Sequence, residues 1–208
     1  MINSPLKKIG LFGGTFDPVH LGHLIIAEFI REAARLDKII FIPAKLHPLK
    51  NNQSILPFQH RYHMLKLAIR KNPYFSVSDM ESKQEGISYS VDTVKNFRQQ
   101  YPPDRFELFF LIGADNVAQF HLWKQPEELL RLSKFIIFGR PGFKTDMESG
   151  SYFSASQFIE APLLEISSTE IRNRARQDLS IRYLVPDAVE GYIEKHSLYK
   201  TANRSNFP

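Results

Sequence analysis

The sequence predicts an α/β protein: a doubly wound parallel sheet with flanking helices, carried by one domain over residues 1–200 and followed by a polar tail, 201–208. Three observations lead there. Short apolar runs alternate with segments of helical periodicity, the pattern of successive βαβ units around a parallel sheet. The first run meets a glycine pair and then a helix start, an arrangement that leaves backbone N–H groups open to an anion. The composition, 43 % hydrophobic and 24 % charged over 208 residues, is that of a globular domain burying roughly 70–75 % of its unfolded surface.

In chain order, residues 8–12 read as a strand and about 22–35 as a helix with its apolar period from Leu24 to Leu36. A buried-type strand over 38–42 is closed by Pro43, and a basic, proline-broken loop follows to Lys50. Residues 58–71 set Tyr62, Leu65 and Ile69 on one helical stripe; 74–77 are a short strand; 90–100 carry Val91, Val94 and Phe97 along one helix side. The strongest strand, 106–112, ends in Gly113-Ala114-Asp115-Asn116. Because ligands of open α/β sheets sit outside the carboxyl ends of strands, this cluster is expected to face the first glycine bend. A helix over 126–132 and a strand over 135–138 come next, then a loop-rich excursion over 143–162, a last strand at 163–166, and helices near 168–177 and 186–195.

Two stretches carry chemistry. The first is Gly13-Gly14-Thr15-Phe16-Asp17-Pro18-Val19-His20-Leu21-Gly22-His23. His20 and His23, at i and i+3, share one face of a first helical turn and can both meet whatever the glycines admit. A glycine pair alone is often only a turn and a lone histidine only a cap. Two-histidine metal ligation is a further reading, weakened by the absence of cysteine. The second stretch is Ser167-Ser168-Thr169-Glu170-Ile171-Arg172, in which Ser167 and Glu170 fit a capping box, Ser168 and Thr169 fall in the first turn, and Arg172 offers a fork of donors to a phosphate.

The first stretch resembles the leading motif of the nucleotidyltransferases, a superfamily related to class I aminoacyl-tRNA synthetases, and the second resembles that superfamily's Ser-Ser-Thr-x-Ile-Arg motif. Gly86-Ile87-Ser88-Tyr89-Ser90-Val91-Asp92-Thr93 is similar to the Ser-Tyr-Thr-x-Asp-Thr segment of bacterial nicotinate-nucleotide adenylyltransferases, with Ser90 at the usual threonine. Gly113-Ala114-Asp115, Trp123, Arg140-Pro141-Gly142, Tyr183-Leu184-Val185-Pro186-Asp187 and Tyr192-Ile193 extend the likeness over nearly the whole chain. The second loop departs from it: Lys50 is in register, but Leu49 replaces the family's histidine and His47 stands at a proline position, where an exposed loop residue is the simpler reading.

The resemblance implies a Rossmann-like nucleotidyltransferase fold and adenylyl transfer from ATP to nicotinate mononucleotide, a step of NAD biosynthesis, with Mg²⁺ carried on the triphosphate by phosphate oxygens and water. It implies His20, His23, Lys50 and Arg172 as catalytic residues. Gly13, Gly14, Thr15, Phe16, His20, His23, Gly113, Asp115, Ser168, Thr169 and Arg172 would bind ATP; Thr15, Lys50, Tyr89, Ser90, Asp115, Trp123 and Arg140 would bind the mononucleotide. Asp17 is expected to shape the bend before Pro18 rather than to ligate metal.

The formal charge of +5 suits an anionic partner without separating nucleotides from nucleic acid. No apolar run approaches the ~20 residues that span a bilayer, so no membrane partner is expected and the expected location is the cytoplasm. An RNA-binding module is the competing reading from another class; the missing basic stripe with interleaved aromatics argues against it, and no nucleic-acid partner is expected. An amidated mononucleotide or pantetheine phosphate remain alternative acceptors. A homo-oligomer is compatible with the sequence.

Overall fold

A computed structural model describes residues 5–46, 55–83, 86–139, 152–162 and 164–200. Its centre is a six-stranded sheet in the order β3-β2-β1-β4-β5-β6, built from β1 (Lys7–Gly14), β2 (Lys38–Pro43), β3 (Phe75–Val77), β4 (Phe106–Gly113), β5 (Lys134–Gly139) and β6 (Gln157–Glu160). All five pairings are parallel, so each connection has to cross a face of the sheet. The crossovers are α1 (Leu21–Ala33), α2 (Phe58–Ile69), α3 (Ser90–Gln100) and α4 (Pro126–Leu132), with α5 (Ser168–Arg176) and α6 (Asp187–Lys195) closing the chain.

Both faces are covered, which is why β2 and β4 are near-continuous runs of buried residues. One core packs Ala27 and Ile30 of α1, Met64 and Leu65 of α2, Ile171 of α5 and Val189 of α6 against the sheet. The other packs Val91, Val94 and Phe97 of α3 and Leu129 of α4 on the opposite face. The order reverses between β1 and β4, the switch point at which the carboxyl ends of two strands diverge and leave a crevice.

Three expectations need correction. The last strand is not at 163–166 but at β6, inside the stretch expected to be a loop. β6 is an edge strand with only Ile159 buried, so its polar neighbours conceal the apolar signal; Leu164 and Ile166 are half-buried without joining the sheet, and Leu163 lies outside the described residues. The first strand does not stop at Phe12: Gly13 and Gly14 stay in register opposite Ile42 and Pro43. On α2 the buried stripe is Arg61, Met64, Leu65 and Ile69, leaving Tyr62 half-buried.

Candidate active site

At the crevice lies a cavity of about 1010 Å³, lined among others by Gly13, Thr15, His20, His23, Asp115 and Arg172. That is at the upper end of the ~300–1,000 Å³ usual for small-molecule and cofactor pockets.

The floor is the end of β1. A Cβ on Gly14 would lie 2.8 Å from the Phe16 ring, whereas one on Gly13 would meet only Phe110, at 3.8 Å. Gly14 is therefore glycine to let Phe16 fold back beneath the strand. Phe16 itself takes a left-handed backbone, φ 51°, a conformation disfavoured for an aromatic residue and held here by burial on Phe12, Phe41 and His23. The residue as a whole is 2 % exposed.

His20 is the N-cap of α1. His23 Nδ1 accepts from the His20 backbone N–H at 3.3 Å, and the two rings stack with centroids 3.6 Å apart. The His20 side chain leans toward the His23 N–H without completing a cap hydrogen bond, and its Nδ1 has no partner among the described residues. Burial without a counter-charge pushes His20 down from 6.5 to about 4, so it is neutral at pH 7.

The serine-rich helix start closes over the same floor. Ser167 caps α5 by accepting from the Glu170 N–H at 3.1 Å. Ser168 Oγ donates to the Pro18 carbonyl at 2.9 Å. Arg172 donates to the Asp17 carbonyl at 2.7 Å and to Thr169 Oγ1 at 3.2 Å. Two elements about 150 residues apart are thereby stitched together at one bend. The bend includes a cis Asp17–Pro18 bond, and Asp17 is 3 % exposed. Its carboxylate accepts from Tyr199 Oη at 2.7 Å and from the Leu56 N–H at 3.4 Å, so it shapes the bend, as expected, with its oxygens already engaged.

The opposite wall carries the second group of expected residues. Gly113 ends β4 and Asp115 sits exposed on the 3-10 turn Ala114–Asn116. Tyr89 precedes α3 and Ser90 opens it. Trp123 packs edge-on to Phe110, centroids 5.9 Å apart, and stays half-buried in the wall. Tyr89, Ser90, Asp115 and Trp123 all line the cavity. Lys50, His47, Leu49 and Arg140 lie outside the described residues. Sequence reasoning missed Lys124, which pairs with Asp92 at 2.8 Å and sits 4.6 Å from the centre of the Tyr89 ring; its position directly after Trp123 was the only signal. It also missed Arg61, 1 % exposed, whose guanidinium donates to the carbonyls of Thr15 at 2.7 Å, Leu56 at 2.9 Å and Lys45 at 3.5 Å.

A parallel sheet with a crevice at its switch point, flanked by a histidine pair and a helix N-terminus, is the Rossmann-like architecture of a nucleotidyltransferase, and the relatives below put the chain in that class. A cytidylyltransferase-like family model matches residues 11–174. A probable nicotinate-nucleotide adenylyltransferase of Desulfitobacterium hafniense (strain Y51) is 41 % identical over 206 residues, covering 96 % of this chain and 99 % of its own. The nicotinate-nucleotide adenylyltransferase of Bacillus subtilis (strain 168) is 43 % identical over 196 residues, 94 % of this chain and all of its own (100 %). The chain belongs to the nicotinate-nucleotide adenylyltransferase family. Among solved structures, Plasmodium falciparum nicotinic acid mononucleotide adenylyltransferase complexed with NaAD superposes with a TM-score of 0.77 at 24 % identity, over 93 % of this chain and 97 % of that one, a likeness of fold.

Proposed function

We propose that this protein transfers the adenylyl group of ATP to nicotinate mononucleotide, giving the deamido dinucleotide and pyrophosphate. One observation carries the reading: the glycine floor, the stacked histidines and the start of α5 converge on one cleft whose far wall holds Tyr89, Ser90, Asp115 and Trp123. The mononucleotide's phosphate oxygen bonds to the α-phosphorus of ATP. The bond from that phosphorus to the β-bridging oxygen breaks, and pyrophosphate leaves with the electron pair. The nucleophile is already anionic, so no general base is required; the protein aligns two polyanions and neutralises charge as it moves to the leaving group.

In this reading His23 serves the α-phosphoryl group, His20 and Arg172 the β/γ side, and Lys50 bridges the reactants. Gly13, Gly14, Thr15, Phe16, Gly113, Asp115, Ser168 and Thr169 complete the ATP side, while Thr15, Tyr89, Ser90, Asp115, Trp123 and Arg140 take the mononucleotide. Among the described residues no cluster of three or more His, Cys, Asp or Glu is placed to cage a metal. A Mg²⁺ ion would thus ride on phosphate oxygens and water, supplying charge neutralisation to the triphosphate. Among the described residues no helix is long and apolar enough to cross a membrane; the cytoplasm is the location this reading proposes.

The test is incubation with ATP and Mg²⁺ plus nicotinate mononucleotide, nicotinamide mononucleotide or pantetheine phosphate, following pyrophosphate and product. Turnover fastest with nicotinate mononucleotide is expected. Turnover only with the amide or with pantetheine phosphate would reassign the acceptor, and turnover with none would refute the reading.

A further inference from the structure

The acceptor-side motif contains two residues that the reaction leaves without a role, Asp92 and Thr93. Thr93 is 1 % exposed, behind the cavity wall rather than in it. Its hydroxyl donates at 2.7 Å to Oε1 of Glu81, a carboxyl that is itself only 7 % exposed. The Lys45 backbone N–H and the Ser88 hydroxyl also face this carboxyl, and the Arg61 guanidinium lends it positive charge. Among the described residues, Oε2 of Glu81 and Oγ of Ser88 nevertheless fall short of a completed hydrogen bond. A buried carboxyl with one oxygen under-satisfied is disfavoured unless something is gained by keeping it there.

What it joins is informative. The Ser88 N–H donates to the Leu46 carbonyl at 3.2 Å, so the segment entering α3 is fastened to the loop after β2. Arg61 holds that same loop through the Lys45 carbonyl and holds the ATP-side bend through the Thr15 carbonyl. Asp17 contributes further negative charge to Arg61 from the bend. The carboxyl groups of Asp17 and Glu81 thus both act electrostatically on the buried Arg61, and Thr93 and Ser88 face Glu81 in turn. Glu81 and Ser88 line the cleft themselves, whereas Thr93 is buried and does not. In the same wall, Lys124 pairs with Asp92 and sits over the Tyr89 ring.

We propose that Glu81 and Thr93 are positioning residues for the acceptor: their hydrogen bond sets the Ser88–Ser90 segment at the spacing that receives the pyridine mononucleotide, and Arg61 references that segment to the ATP bend. This rests on the adenylyl-transfer reading. It gives Thr93 a purpose that capping cannot, because Tyr89 holds the N-cap position of α3 and no side-chain cap bond is made there.

The experiment compares Thr93→Val, which keeps the shape and removes the hydroxyl, with Thr93→Ser, which restores it. Binding is read from the fluorescence of Trp123, the single tryptophan, as nicotinate mononucleotide or ATP is added, and KM and kcat are measured alongside. Thr93→Val is expected to weaken mononucleotide binding and raise its KM about tenfold, with the ATP constants within about twofold; Thr93→Ser is expected to return both to the wild-type range. Equal loss for ATP and mononucleotide, or no change in either, would overturn the proposal. If Thr93→Val does not fold, Glu81→Gln is expected to give the same one-sided loss, and a two-sided or absent effect there overturns it equally. Failure of the wild-type enzyme to turn over nicotinate mononucleotide refutes the adenylyl-transfer reading; normal wild-type turnover with an unaltered variant refutes only this one.

Discussion

His20 is expected to take up a proton when ATP binds. In the free protein its burial lowers the pKa from 6.5 to about 4, which at ~1.4 kcal/mol per tenfold disfavours the imidazolium by ~3 kcal/mol. The start of α1 adds ~0.3–1 kcal/mol against the cation. One phosphate charge at ~4 Å contributes ~4 kcal/mol in its favour at an effective dielectric near 20. A single charge therefore cancels burial and helix field together and returns the ring to the ordinary histidine range. The further charges of a triphosphate carry it to neutrality and above. The assay is an NMR titration of isotope-labelled histidine with and without a non-hydrolysable ATP analogue, checked by calorimetry in buffers of different ionisation enthalpy to count protons taken up. The free protein also gives a stability signature. Because the folded pKa lies below the unfolded one, the neutral ring contributes its full ~3 kcal/mol above pH 6.5, and that contribution is lost as pH falls through about 4. A His20 that titrates near 6.5 without ligand, or one that ignores the nucleotide, refutes the reasoning.

Further substitutions probe the same floor. His23→Ala is expected to lower turnover by ~10²-fold or more, the scale of losing one preorganised charge-stabilising donor. The bond to the His20 N–H and the ring packing on His20, Phe12 and Phe16 go with it, so a thermal melt should show a loss of ~0.5–3 kcal/mol, at ~2–4 °C per kcal/mol. Arg172→Lys keeps the charge but not the fork that reaches both Asp17 and Thr169; a rise of about tenfold in the KM for ATP with a smaller change for the mononucleotide is expected from steady-state kinetics. Gly14→Ala places a methyl 2.8 Å from the Phe16 ring, and overpacking of that kind costs ~1–3 kcal/mol. Denaturant unfolding should show that loss, together with weakened ATP binding as Phe16 is displaced.

How much of this could be read from residues alone follows from how local each feature is. Elements whose signal is periodic and fully buried were legible: the Val91, Val94 and Phe97 stripe of α3 is buried as expected, and Pro126–Leu132 forms the expected helix. So was the cap of Ser167 on Glu170, since both partners lie within one turn. β6 was not, because a half-exposed edge strand alternates with polar residues and is defined by its pairing with β5 rather than by its own composition. A further demand on Gly14 was hidden for the same reason: what forbids a side chain there is the ring of Phe16 turning back two residues later.

The site divides along that line too. Residues that would touch phosphate announce themselves through spacing, since His20 and His23 must share a helical face and Ser168 and Arg172 must share a turn. The residues that hold those groups in register do not, because Arg61 donates to the Thr15 carbonyl, Glu81 accepts from the Thr93 hydroxyl and Tyr199 donates to the Asp17 carboxylate across 46, 12 and 182 positions of chain. A charged residue in a helical sequence is ordinarily read as solvent-facing, so an arginine 1 % exposed in α2 carries no local mark. Yet that arginine fixes the carbonyl of Thr15, and the bend it fixes also receives Arg172 and Ser168 from α5. Convergence of the two phosphate motifs thus depends on a buried cation that neither motif contains, and a change confined to Arg61 should disturb ATP and acceptor together where a change at Thr93 disturbs only one.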